Sequence, residues 1–130
     1  MPFLIYDYLD EHGKNAIQPW IDSRQVKERC KLNELLDKLQ MHGDALRPQM
    51  LTGTKEPGIS KLRIHGKVQL RPLLCSGPVH VDAEYTILCG AKEVGGVLVP
   101  KGVEKEAASR KLEVKASPTT RRKLNARCTE

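Results

Sequence analysis

The chain has 130 residues, of which 39% are hydrophobic, 4% aromatic and 29% charged, enough for one modest core. Its net charge of +6 is uneven, with 9 basic against 4 acidic side chains in residues 101–130 but 8 against 9 in residues 1–56, which excludes a uniformly basic nucleic-acid binder. No apolar run approaches the roughly eighteen residues of a membrane span, and Met1-Pro2-Phe3-Leu4 lacks the basic leader of a secretory signal, so a cytoplasmic chain is expected.

Residues 3–9 are aromatic and aliphatic and predict a strand in the middle of a sheet. Ile17, Trp20 and Ile21 then fall at helical spacing, predicting a short helix over residues 16–21 with Asn15 as its N-cap. The strongest periodicity lies in residues 23–42, where Leu32, Leu35, Leu36 and Leu39 form one apolar stripe. Ser23 is the expected cap, and Gly43 stands just past the end. Residues 44–58 read as a long loop with two prolines and two glycines.

The period then changes to two. In Ile59-Ser-Lys-Leu-Arg-Ile-His65, Leu62 and Ile64 share one face, and Lys61, Arg63 and His65 share the other. Val68 and Leu70 likewise oppose Gln69 and Arg71. A three-residue loop, His65-Gly66-Lys67, pairs Ile64 with Val68, Leu62 with Leu70 and Lys61 with Arg71. A two-residue turn mixes apolar and charged side chains on both faces. The buried face sets register, so the longer loop is expected, bringing Lys61, Arg63 and Arg71 to one face.

Another strand is predicted over residues 84–89, then a turn region containing Lys92-Glu93 and Gly95-Gly96, and a helix over residues 100–115. From Ser117 onward little is available to bury, and a disordered tail is expected. The division is thus a domain over residues 1–115 and a basic tail over 116–130. The cysteines, Cys30, Cys75, Cys89 and Cys128, include no Cys-x-x-Cys pair. Reduced, mostly buried thiols are expected, with no metal and no cofactor. Strands and helices in this order predict an α+β domain: a small antiparallel sheet with two N-terminal helices on one face and a C-terminal helix.

Several strings, in order, resemble the RelE/HigB toxin superfamily over roughly residues 3–112, especially its phage-derived HigB-like branch. They are Pro19-Trp20-Ile21, Leu39-Gln-Met-His-Gly43, Leu46-Arg47-Pro48, Leu51-Thr52-Gly53, Gly58-Ile-Ser-Lys-Leu-Arg-Ile64, Leu70-Arg71 and Pro100-Lys101 before an Ala-rich basic helix. Leu70 stands where the family has an aromatic residue, and Gly90-Ala-Lys-Glu93 where it has Phe-x-Lys-Lys. Pro72 cannot donate to a ladder, which predicts an edge or a bulge there.

The resemblance implies a RelE-like fold and a toxin of a type II toxin–antitoxin module. Such a toxin is a metal-independent, ribosome-dependent mRNA endoribonuclease, neutralised by a cognate helix-turn-helix antitoxin. The alternatives are a non-catalytic phage or prophage protein of the same fold, binding nucleic acid or a protein partner, and a ParE-like gyrase inhibitor. RNA cleavage needs a base at the ribose 2′-hydroxyl, positive charge at the phosphate and an acid for the leaving oxygen. Arg63, Arg71 and Lys92 match the family's basic positions. Strand parity adds Lys61, His65 and Lys67, with His65 as the acid–base candidate. The catalytic candidates are therefore Arg63, Arg71, His65 and Lys92, and the RNA-binding candidates Lys61, Lys67 and Lys101.

Overall fold

The computed structural model describes residues 2–126. Strand β1 (Leu4–Tyr8) opens the chain. The short helix α1 (Gln18–Asp22) and the long helix α2 (Val26–His42) follow. Next come a 3-10 turn (Gly43–Leu46), β2 (Leu51–Gly53), β3 (Ser60–Leu62), β4 (Gln69–Leu70), β5 (Leu73–Ser76) and β6 (Glu84–Cys89). A hairpin of β7 (Lys92–Val94) and β8 (Val97–Val99) leads into α3 (Val103–Ala116), α4 (Pro118–Arg121) and β9 (Arg122–Leu124).

The expected small antiparallel, RelE-like sheet with helices on one face is corrected by this topology. The strands form two sheets, a six-stranded one ordered β2-β3-β5-β6-β1-β9 and a three-stranded one ordered β4-β7-β8. The larger sheet is mixed, because β1 runs parallel to β6 and antiparallel to β9. It is also covered on both faces. Leu74, Tyr85 and Ile87 pack with Leu32, Leu36 and Leu39 of α2. On the other face Leu73, Cys75 and Leu88 pack with Val103, Ala107 and Val114 of α3. Strand β6 is buried along its whole length, and a strand without a solvent face needs cover on both sides.

The basic end of the chain is the second correction. Arg121 donates to Leu9 O at 3.1 Å and pairs with Glu113. Arg122 pairs with the buried Glu84, its guanidinium 3.8 Å from the Tyr6 ring centroid. Asn125 is buried and donates to Asp7 at 2.9 Å, while Asn15 donates to the other Asp7 oxygen at 3.0 Å. Burial pushes the Asp7 carboxyl up from its ordinary range, against the pull of these two bonds. So the segment from Ser117 to Ala126, expected to be disordered, closes the free edge of β1. Residues 127–130 of the expected tail lie outside the described residues. Among the described residues no helix is long and apolar enough to cross a membrane.

Candidate nucleic-acid interface

The site begins where the chain changes sheets. Strand β4 ends at Leu70, Arg71-Pro72 form a short link, and β5 starts at Leu73. Pro72 has no N–H for a ladder, and the link hands the chain from the three-stranded sheet to the six-stranded one. The β3–β4 connection is longer than predicted. Ile64 bridges to Leu70, not to Val68, so residues 65–69 separate the bridged pair, Gln69 already belonging to β4. The register has moved by two residues, so the faces keep their predicted parity: Leu62, Ile64 and Leu70 are all buried.

Arg71 lies on the predicted face but is 0% exposed. Its Nε donates to Glu93 at 3.3 Å, its Nη1 to the carbonyls of Ile64 and Leu70 at 3.2 and 2.9 Å, and its Nη2 to the Gln69 side chain. A buried, chain-bound guanidinium cannot reach a scissile phosphate, so the catalytic role expected of Arg71 is corrected to a structural one. Lys61 donates to the same Glu93 oxygen at 2.8 Å. Lys61 and Arg71 thus meet, as the hairpin parity implies, but on a carboxylate and not on an open face. The Lys61 hydrogen bond is the chief cause that holds the Glu93 carboxyl below its usual range. Glu93 is the residue that sequence reasoning missed. Its only signal is a carboxylate beside Lys92 in a short strand whose register, Gln69 opposite Glu93, is not readable from the sequence.

The other candidates are distributed along three concavities. His65 and Lys67 line a small one of about 180 Å3, with Lys27 and Lys31 at the start of α2. The His65 carbonyl accepts from Lys31 Nζ at 3.1 Å, which fixes the loop to that helix. Lys67 and Lys92 line a shallow depression of about 480 Å3 beside Gly95 and Gly96. Lys61 and Lys101 line a cleft of about 440 Å3 with Lys55 and Leu98. The first two concavities share Lys67 and Val68, and the last two share Gly96. They adjoin one another, a track of three separate concavities with shared wall residues over β3, β4 and the β7–β8 hairpin. Arg63 is half-buried; its N–H donates to Met50 O at 2.9 Å, and its side chain lines none of these concavities.

The charge along the track is lopsided. Its acids are Glu28, Glu93 and Glu104, and two of these are committed. Glu28 closes the capping box of α2, and Glu93 holds Lys61 and Arg71. Lys67, Lys92 and Lys101 are exposed and have no ion-pair partner among the described residues. Gly90 serves packing: the Trp20 indole lies against its backbone, and a Cβ there meets the ring at 2.1 Å. Among the described residues no group of three or more His, Cys, Asp or Glu side chains is placed to hold a metal ion.

The fold and track together define a strand-rich, two-sheet domain with helices on both faces of its larger sheet and a lysine-lined stretch of surface. Comparison with family models, curated proteins and solved structures returns no match.

Proposed function

We propose that the chain binds single-stranded RNA along the His65–Lys67–Lys92–Lys101 track and cleaves it without a metal, as a toxin acting on ribosome-bound message; the strings that resemble the RelE/HigB superfamily support this activity, while the two-sheet topology departs from the RelE-like fold. The observation that carries this reading is the row of exposed lysines, Lys67, Lys92 and Lys101, that have no ion-pair partner among the described residues and line adjoining concavities. Lysines of this kind meet phosphates and release counterions, giving affinity with little sequence preference. His65 is the one imidazole on the track and stands beside Lys67. In the proposed step it takes the proton of a ribose 2′-hydroxyl, whose oxygen attacks the adjacent phosphorus. The P–O5′ bond breaks, the departing 5′-oxygen takes a proton from solvent water, and the imidazolium of His65 gives its proton back to solvent. The products are a 2′,3′-cyclic phosphate and a 5′-hydroxyl end. Lys67 and Lys92 hold the phosphate oxygens while charge builds on them. The resemblance supports a helix-turn-helix antitoxin as the neutralising partner.

A second reading, a non-catalytic RNA-binding protein, is favoured by one observation: the family arginine at Arg71 is locked inside. Induced expression in bacteria separates the two. Cleavage predicts growth arrest and new 5′-hydroxyl ends in messages, both lost in His65→Ala. RNA binding with neither growth arrest nor cleavage selects the second reading. Loss of arrest in Arg71→Met but not in His65→Ala contradicts the assignment of the base.

A further inference from the structure

A fourth concavity, of about 470 Å3, lies between the β2–β3 connection and the C-terminal half of α3. Its charged lining is Arg47, Lys111 and Lys115 against Glu56. Lys111 and Lys115 are one turn apart on α3, so both project from the same face. Neither has an ion-pair partner among the described residues. Gly58 has φ +78°, and a Cβ built on it comes within 2.7 Å of Lys111 Nζ. Glycine is thus the residue that lets this amine lie directly against the loop backbone. Arg47 is oriented from two sides. Its Nη2 donates to Ser60 Oγ at 2.9 Å, and its Nε lies 3.5 Å from Asp44.

We propose that this cavity is a binding site for a small phosphate monoester, held by Lys111, Lys115 and Arg47 with the Ser60 and Ser76 hydroxyls. With Arg47 paired to Asp44, two lysines without ion-pair partners among the described residues still face the single carboxylate of Glu56, a balance that suits a dianion better than a carboxylate ligand. The volume exceeds what a bare phosphate fills and lies within the range of small-ligand sites. Ile59, Pro78 and Val81 supply apolar wall for the organic part of the ester. The site meets the lysine track at Gly53 and Thr54 but draws its charge from different side chains.

The test is equilibrium dialysis of the full chain with 5′-adenylate, inorganic phosphate and adenosine. Adenylate is expected to bind and adenosine not to. The double variant Lys111→Met/Lys115→Met is expected to weaken adenylate binding at least about tenfold, because each charge-assisted contact carries a comparable factor. Lys111→Arg, which keeps the charge, is expected to retain binding, as is Lys67→Met/Lys92→Met on the track. Phosphate binding as tight as adenylate assigns the site to the phosphate group alone. Absence of adenylate and phosphate binding, or adenylate binding undiminished in the double methionine variant, overturns the proposal. Failure of RNA cleavage leaves these readouts unaffected, so the two proposals fall separately.

Discussion

Replacing Arg71 by Met tests whether this arginine belongs to the scaffold or to the chemistry. The change removes a guanidinium that is 0% exposed and serves Glu93, Gln69 and the carbonyls of Ile64 and Leu70. Breaking a buried ion pair from one side costs about 3–5 kcal/mol. Glu93 keeps Lys61 at 2.8 Å and its side chain is 20% exposed, so the lower end, about 3 kcal/mol, applies. An unfolding entropy of about 2.1 cal/mol/K per residue gives about 0.27 kcal/mol/K for this chain. The melting temperature is therefore expected to fall by about 11 °C, read by circular dichroism or calorimetry. Arg71→Lys, which restores one donor but not the fork, is expected to fall between. A melting temperature within about 2 °C of the parent, by the same entropy scale, refutes the structural assignment.

Three further outcomes follow from the same contacts. Truncation after Ala116 leaves Glu84, 2% exposed, without Arg122 and uncovers the edge of β1; a loss of several kcal/mol is expected, and an unchanged melting temperature contradicts the ordered end. The Glu93 carboxyl is held below its ordinary value of 4.5, so its stabilising contribution is present above that pH and is lost as pH falls through the lowered folded-state value. Glu93→Gln is accordingly expected to flatten the acid limb of a stability–pH curve, and an unaltered limb argues against the ion-pair hub. Cys75 and Cys89 are buried and their thiols pushed up to about 11 by burial, whereas Cys30 is exposed. An aromatic disulfide reagent at pH 8, with modification mapped residue by residue, is expected to reach Cys30 quickly and Cys75 and Cys89 only after unfolding. Equal rates at Cys30, Cys75 and Cys89 contradict the packing of β5 and β6.

Local patterns carried further in the sequence than long-range ones. The leucine stripe of α2 is buried as its spacing requires, and Gly43 ends the helix with φ 52°. The N-terminus lies at Gln25, not Ser23, because Gln25 and Glu28 form a reciprocal capping box. Asn15 accepts from the amides of Ile17 and Gln18, but α1 starts at Gln18 with Ile17 as its N-cap, so the expected cap stands two residues ahead of the helix boundary. The hairpin parity survived a two-residue slip because parity depends only on which side chains are buried. The sheet arrangement was not legible. β1 pairs with β6 across some eighty residues of chain, and no local period encodes that contact. The tail was misread for a related reason: Arg121 and Arg122 look solvated until Glu113 and Glu84 are brought to them. At the site, Lys61 and Arg71 were correctly grouped by strand alternation, but the carboxylate between them arrives from β7. Its arrival turns an apparent anion clamp into a closed ion-pair hub and leaves the exposed lysines as the accessible charge.

RNA affinity as a function of salt, for the parent and for Lys67→Met/Lys92→Met/Lys101→Met, tests the proposed RNA track most directly. A fluorescently labelled single-stranded RNA followed by anisotropy is sufficient. Each lost phosphate contact flattens the slope of log K against log salt by about 0.7, so removing these three is expected to flatten it by about 2 and to weaken binding at low salt. An unchanged slope and affinity in the triple variant contradicts the placement of RNA on this surface.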